Sequence, residues 1–157
     1  MNHMGNPRVM LLFSFWLALS AAHLGAAEKG QTVGQGEVQL KIGTILASDE
    51  SQCFDPKLSG MKNQLKVLQY RCYRLIKEET QKVPWKANAL FDIPGGRSLV
   101  VVPEEYRDNR ISLKVSLLGG DKPLDTTVRL RNRGNFLLGG PPHEGGVLIL
   151  SISGMTH

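Results

Sequence analysis

Few residues of this 157-residue chain have the types and spacing that catalysis or metal binding requires. A catalytic cysteine needs a histidine close in space, and neither Cys53 nor Cys72 lies in a nucleophile motif. His143 is the one reasonable histidine partner for them. A zinc site needs several His or Cys ligands at characteristic spacings, and the sequence contains no such set. The sequence therefore predicts no catalytic residue, no metal site and no cofactor.

The segment Gly139–Gly146 (GGPPHEGG) is the most unusual local feature of the sequence. Its four glycines permit backbone conformations that other residues avoid, and its two prolines stiffen its middle. We predict a loop with His143 and Glu144 at its tip. Such a loop either presents these two residues to a binding partner or is a plain crossover between two strands.

A cluster of basic residues is predicted on one face of a hairpin. The alternating run Ile111–Leu118 and the run Asp125–Arg131 are separated by turn residues, as a pair of antiparallel strands would be. If Leu113 and Val115 lie opposite Leu130 and Val128, then Lys114 lies opposite Arg129 and Ser112 opposite Arg131, with Arg110 near Arg133. This outward face is either merely solvated or binds an acidic partner or anionic lipid headgroups. The candidate binding residues are Arg110, Lys114, Arg129, Arg131, Arg133, His143 and Glu144.

The two cysteines flank a predicted helix. Asp55-Pro56 is typical of a helix start, and apolar residues at three- and four-residue spacing extend the amphipathic pattern to about Val67. Such a helix is about 20 Å long, whereas the three residues from Tyr70 lead back only about 7 Å. Because a disulfide needs Cα atoms within roughly 7 Å of each other, we expect Cys53 and Cys72 to be free thiols and no disulfide to form.

Short apolar runs separated by Gly and Pro predict seven to nine strands, mostly paired as antiparallel hairpins. The run Val147–Ser153 is apolar on both faces and is predicted to be a central strand. The expected fold class is mainly β (α+β). The expected architecture is an antiparallel β-sandwich or partly closed barrel with one N-terminal amphipathic helix.

The N-terminal residues are typical of an export signal. Residues 1–27 combine the basic residue Arg8, the apolar run Val9–Ala22 and the small-residue exit Gly25–Ala27, which together predict a signal peptide. The alternative is an uncleaved membrane anchor. Residues 28–36 are predicted to be a flexible leader, and residues 37–154 a single β-rich domain. No transmembrane span is expected after cleavage, and the modest net charge of +5 does not favour nucleic-acid binding.

Three runs of the sequence resemble a family of short exported bacterial proteins of unassigned function. They are Tyr70-x-x-Tyr73-Arg74-Leu75, Pro94–Leu99, and Leu138-Gly139-Gly140-Pro141-x-His143-x-x-Gly146–Ile149. The resemblance implies an envelope or secreted location and supplies no catalytic residues. Separately, the stretch from Thr126 to Gly140 is similar to a hairpin of secretin pore proteins.

From these features we expect a non-enzymatic, exported domain of the bacterial envelope, periplasmic or secreted. It would bind another envelope protein or an anionic envelope surface, and it would be an accessory to a larger assembly. One alternative is a small periplasmic hydrolase that uses the Gly139–Gly146 loop. Another is a purely structural secreted module.

Overall fold

The computed structural model describes residues 36–157, and it confirms the prediction of a mainly β fold. The predicted signal peptide and nearly all of the predicted leader lie outside these residues. The described part contains nine strands: β1 (Glu37–Ser48), β2 (Cys53–Phe54), β3 (Cys72–Pro84), β4 (Ala89–Ile93), β5 (Arg97–Arg107), β6 (Arg110–Leu118), β7 (Leu124–Arg131), β8 (Asn135–His143) and β9 (Gly146–Met155). They form a five-stranded sheet of order β2-β3-β1-β9-β8 and a four-stranded sheet of order β4-β5-β6-β7.

The main core lies between the two sheets. Side chains alternate along each strand, so that Ile111, Leu113 and Val115 of β6 are fully buried while Lys114 between them is exposed. The facing residues of the other sheet include Leu40 of β1 and Leu148 of β9, which belong to the same apolar cluster. Alternate burial of this kind is what holds each sheet in one register relative to the core.

The second face of the five-stranded sheet is covered by the segment that connects β2 to β3, residues 55–71. Leu58 and Leu65 of this segment are buried against Ile45 of β1 and Ile149 of β9. Strand β9 is therefore apolar on both faces because it packs on the main core with one and on the connecting segment with the other. The predicted central position of Val147–Ser153 is confirmed, since β9 pairs with β1 on one side and β8 on the other.

The single continuous helix predicted from Asp55 to about Val67 is wrong. Asp55 does cap a helix, but the segment forms a 3₁₀ helix at Pro56–Met61 and then a separate α-helix, α1, at Lys62–Lys66. The break falls at Met61, where φ is −120° and ψ is 18°, directly after Gly60. Glycine is the least favourable helix residue after proline, so the interruption lies where helix propensity is lowest.

The carboxylate of Asp55 joins the connecting segment to β3. Its Oδ1 accepts a hydrogen bond from Lys57 N at 3.0 Å and its Oδ2 accepts one from Leu75 N at 3.2 Å. The Lys57 backbone hydrogen bond holds the pKa of this carboxyl below its ordinary value of 3.8, and the bond from Leu75 acts in the same direction. The link is therefore intact at neutral pH and is lost only as the pH falls through the lowered pKa.

The expectation of two free thiols is also wrong, because Cys53 and Cys72 form a disulfide with their Cα atoms 4.4 Å apart. Strands β2 and β3 are parallel neighbours, and their register places Cys53 directly beside Cys72. A parallel pair needs a crossover connection of a dozen or more residues, and residues 55–71 provide it. The distance estimate failed because the segment is not one continuous helix. In addition, the chain returns to the sheet from residue 67 onward rather than only over Tyr70 to Cys72.

Gly146 at the start of β9 is required by close backbone packing. A Cβ at this position would clash with the carbonyl oxygen of Ala47 and lie 3.1 Å from Ser48 Cβ. At Gly139, by contrast, an added Cβ meets nothing within 4 Å.

We expect Gly146→Ala to lower the free energy of unfolding by about 1–3 kcal/mol, as overpacking does. Gly139→Ala should leave it within about 0.5 kcal/mol. Urea denaturation of the two variants measures the difference, and equal midpoints would contradict the predicted clash.

Candidate functional site

The predicted basic face exists, but its residues are paired differently from the prediction. In the β6–β7 hairpin Leu113 lies opposite Val128, Lys114 opposite Thr127, and Ser112 opposite Arg129. The predicted pairs, Lys114 with Arg129 and Ser112 with Arg131, are wrong by two residues. A shift of two keeps every side chain on its own face, so the apolar pattern alone cannot distinguish the two registers.

The observed register brings arginines together more closely than the sequence analysis indicated. Arg110 lies directly opposite Arg131 on one side and Arg107 on the other, so one row crosses strands β5, β6 and β7. We call Arg107, Arg110 and Arg131 the arginine row. All three side chains are exposed. Because neighbouring strands are about 4.8 Å apart, the three side chains leave the sheet within about 10 Å of one another.

Arg107 is the residue that the sequence analysis missed. Strand β5 continues past Pro103 to Arg107 through an irregularity between Pro103 and Glu105, a position at which a strand tolerates proline. The turn that follows is Asp108-Asn109, with φ values of 52° and 62°. Asn and Asp tolerate positive φ, and a two-residue turn of this kind joins tightly paired antiparallel strands. In the sequence, this Asp-Asn pair between two apolar runs is the feature from which the turn, and with it the extension of β5 to Arg107, could have been predicted.

The end of the domain that carries the arginine row is held by Asn132. Its Nδ2 donates to Thr156 O at 2.8 Å, and its Oδ1 accepts from Thr156 N at 2.9 Å. Its backbone N–H donates to Asn109 O at 2.9 Å, which ties the β7–β8 connection to the β5–β6 turn. Arg133 lies in the same connection, and its backbone N–H donates to Gly154 O at 2.8 Å. The backbone beneath the arginines is therefore fixed by several elements.

Acidic residues lie beside the arginine row on the same sheet face. Glu105 is opposite Ser112 and two residues before Arg107 on the same strand, and Glu104 forms an ion pair with Lys86 at 3.3 Å. These residues share a shallow depression with Lys114 and Arg129. Within residues 36–157, no ion pair involves an arginine of the row. In the part of the chain that the structure describes, the row therefore lies next to a region of mixed charge without an ion-pair partner of its own.

His143 and Glu144 do not form the tip of a long loop. Strand β8 continues through the Gly-Pro segment to His143, and the turn consists of Glu144 and Gly145, with φ values of 42° and 78°. His143 Nε2 lies 3.6 Å from Glu144 Oε1, with the His143 side chain mostly covered. The full length of β8 separates His143 from the arginine row, so the structure does not combine the two groups into one site.

Among the described residues no group of three or more His, Cys, Asp or Glu side chains is arranged to hold a metal ion. In the same range, no helix has both the length and the apolar character needed to cross a bilayer. The chain matches no protein-family model, no curated protein and no solved structure. The candidate site is therefore defined by this chain's own residues, with the arginine row as its main feature.

Proposed function

We propose that this protein is a non-enzymatic, exported domain of the bacterial envelope that binds an acidic protein partner through the arginine row. The observation that carries the proposal is the placement of Arg107, Arg110 and Arg131 side by side on three neighbouring strands. Like charges directly opposite each other destabilise a sheet. The row therefore lowers the stability of the folded protein. Binding of an external anion accounts for the three adjacent arginines, whereas the stability of the fold does not.

The mixed charges around the row favour a protein over a lipid surface as the partner. Glu104, Glu105 and Lys86 beside the row would orient a partner that carries both signs of charge, since complementary patterns fix the register of an interface. Membrane-surface binding usually adds apolar side chains that insert among the lipids. The large exposed apolar residue nearest the row, Tyr106, has its hydroxyl hydrogen-bonded to Asn109 Oδ1 at 3.1 Å.

Export is supported by the disulfide as well as by the predicted signal peptide. Disulfides form and persist in oxidising compartments such as the periplasm, and they are rare in the cytosol. The Cys53–Cys72 bridge suits such a location. Mass spectrometry of the exported protein should find a chain that begins at Glu28.

The test compares two double variants that each remove two positive charges. Arg110→Ser with Arg131→Thr removes two of the three arginines of the row. Arg74→Ser with Lys82→Thr removes two exposed charges from β3 of the other sheet. The probe is fluorescein-labelled decaglutamate, titrated at low salt into protein purified after export. We expect the row variant to bind at least tenfold more weakly and the β3 variant to change less than twofold. Raising the salt should weaken binding of the wild-type protein, because exposed charges are screened.

The melting temperature provides an independent measurement on the same variants. The row variant removes like charges that lie directly opposite each other and destabilise the sheet, so it should melt at the same temperature as the wild type or higher. Equal loss of decaglutamate binding in both double variants would contradict the proposal. So would binding to vesicles of phosphatidylethanolamine and phosphatidylglycerol in a 3:1 ratio without any binding to decaglutamate.

A further inference from the structure

A second concave surface lies far from the arginine row, where the edges of the two sheets separate. Strands β7 and β8 are the edge strands of their sheets and are joined by a short connection at one end. At the other end the loop between β6 and β7 and the Gly139–Pro142 part of β8 enclose a groove of about 590 Å³. Leu117 and Leu124 provide apolar surface within it. We call this the edge groove.

Arg97 lies at the edge groove, and among residues 36–157 its side chain forms no ion pair with a carboxylate. Arg97 donates from Nη1 to Pro94 O at 3.0 Å and from Nη2 to Pro142 O at 3.3 Å. These carbonyl groups position the guanidinium but do not neutralise its charge. Asp121 also lines the groove, yet no ion pair joins it to Arg97 among residues 36–157. The guanidinium can therefore donate hydrogen bonds to a carboxylate in the planar geometry that arginine favours.

The wall formed by β8 suits a peptide backbone over a short length. Gly140 and Pro141 together lie opposite Leu148, so β8 bulges away from its partner strand at this point. Pro141 and Pro142 have no N–H, and a long added strand therefore cannot pair along this edge. Gly139 and Gly140 also line a smaller apolar pocket on the opposite face of β8, next to Leu68 and Tyr70. Alternate side chains of a segment lying along this edge would meet the two cavities in turn.

We propose that the edge groove binds the C-terminal segment of a partner protein, in an extended conformation and ending in its free carboxylate. The carboxylate would pair with Arg97, and alternate apolar side chains would occupy the edge groove and the smaller pocket. The groove is open along a glycine-rich strand edge rather than enclosed by side chains, which favours a peptide over a free acyl chain. This site rests on residues separate from the arginine row and does not depend on it.

The probe is an acetylated tetrapeptide of alternating threonine and leucine, made with a free C-terminal carboxylate and, in parallel, with a C-terminal amide. We expect the acid to bind at least tenfold more tightly than the amide and to shift the backbone amide resonances of Gly120, Gly139 and Gly140. Arg97→Gln should reduce the preference for the acid to less than twofold. The matched control is Arg129→Gln, the same change on an exposed arginine of the same sheet, and it should keep the full preference.

A second variant tests the same proposal in case Arg97→Gln does not fold. Lys122 is exposed at the edge groove, so Lys122→Glu adds a negative charge there without disturbing the core. This change should weaken binding of the peptide acid and leave binding of the peptide amide unchanged. Equal binding of acid and amide, shifts confined to other residues, or binding of decanoate at this groove without peptide binding would each overturn the proposal. The arginine-row double variant should bind the tetrapeptide normally, so the two proposals can fail separately.

Discussion

Replacing Cys53 and Cys72 together with alanine should lower the free energy of unfolding by about 3 kcal/mol, because the disulfide closes a loop with a sequence separation of 19 residues. The closed loop contains the whole connecting segment, whose Leu58 and Leu65 cover one face of the five-stranded sheet. Alanine is the better replacement because Cys72 is buried, and a buried serine hydroxyl would add an unrelated cost. Urea denaturation without reductant measures the loss.

Reduction of the wild-type protein is the matched control for this prediction. Dithiothreitol should shift the wild-type midpoint towards that of the double alanine variant and leave the variant's midpoint unchanged. Thiol labelling of wild-type protein unfolded without reductant should detect neither cysteine. Two reactive thiols, or a wild-type midpoint that does not respond to dithiothreitol, would contradict a disulfide that stabilises the fold.

The sequence was most informative where the pattern of apolar residues reflects which faces of a strand are buried. The alternation in Ile111–Leu118 and the two-sided apolar run Val147–Ser153 gave the correct strands and the correct faces. It could not give the register of the β6–β7 hairpin, because a shift of two residues leaves every face unchanged. The arginine row depends on that register, so Arg110 and Arg131 were recognised as candidates while their direct opposition was not.

Proline and glycine led to a wrong loop prediction because a strand tolerates these residues at some positions. Pro103 lies beside an irregularity in β5, and Pro141 and Pro142 lie on the edge strand β8, the positions where a missing N–H does least harm. Composition alone therefore indicated a loop at Gly139–Gly146. The parallel pairing of β2 with β3 was also beyond a local pattern, since it depends on how a 17-residue connection returns to the sheet.

The largest effect of a single side chain is expected at Tyr73 of β3, which is 4% exposed. Its ring lies edge-on to Phe54 and Tyr70, with ring centroids 6.0 Å and 6.2 Å away. Its hydroxyl donates to Leu65 O at 2.7 Å and accepts from Tyr70 N at 3.0 Å. One side chain thus joins α1, the returning chain and the sheet. Tyr73→Ala should lower the free energy of unfolding by about 3–5 kcal/mol, as removal of a buried aromatic ring does.

Tyr73→Phe removes the hydroxyl and keeps the ring, so it measures the contribution of the hydroxyl alone. Leu65 O keeps a hydrogen bond from Leu68 N at 3.0 Å, whereas Tyr70 N–H loses its acceptor when the Tyr73 hydroxyl is removed. The expected loss is therefore about 1–2 kcal/mol, the cost of leaving one partly buried donor unpaired. Tyr106→Phe is the matched control, because the Tyr106 side chain is 44% exposed and water can replace its hydroxyl; it should change stability by less than about 0.5 kcal/mol. Equal effects of the two Tyr→Phe changes in urea denaturation would show that the Tyr73 hydroxyl does not hold the connecting segment to the sheet.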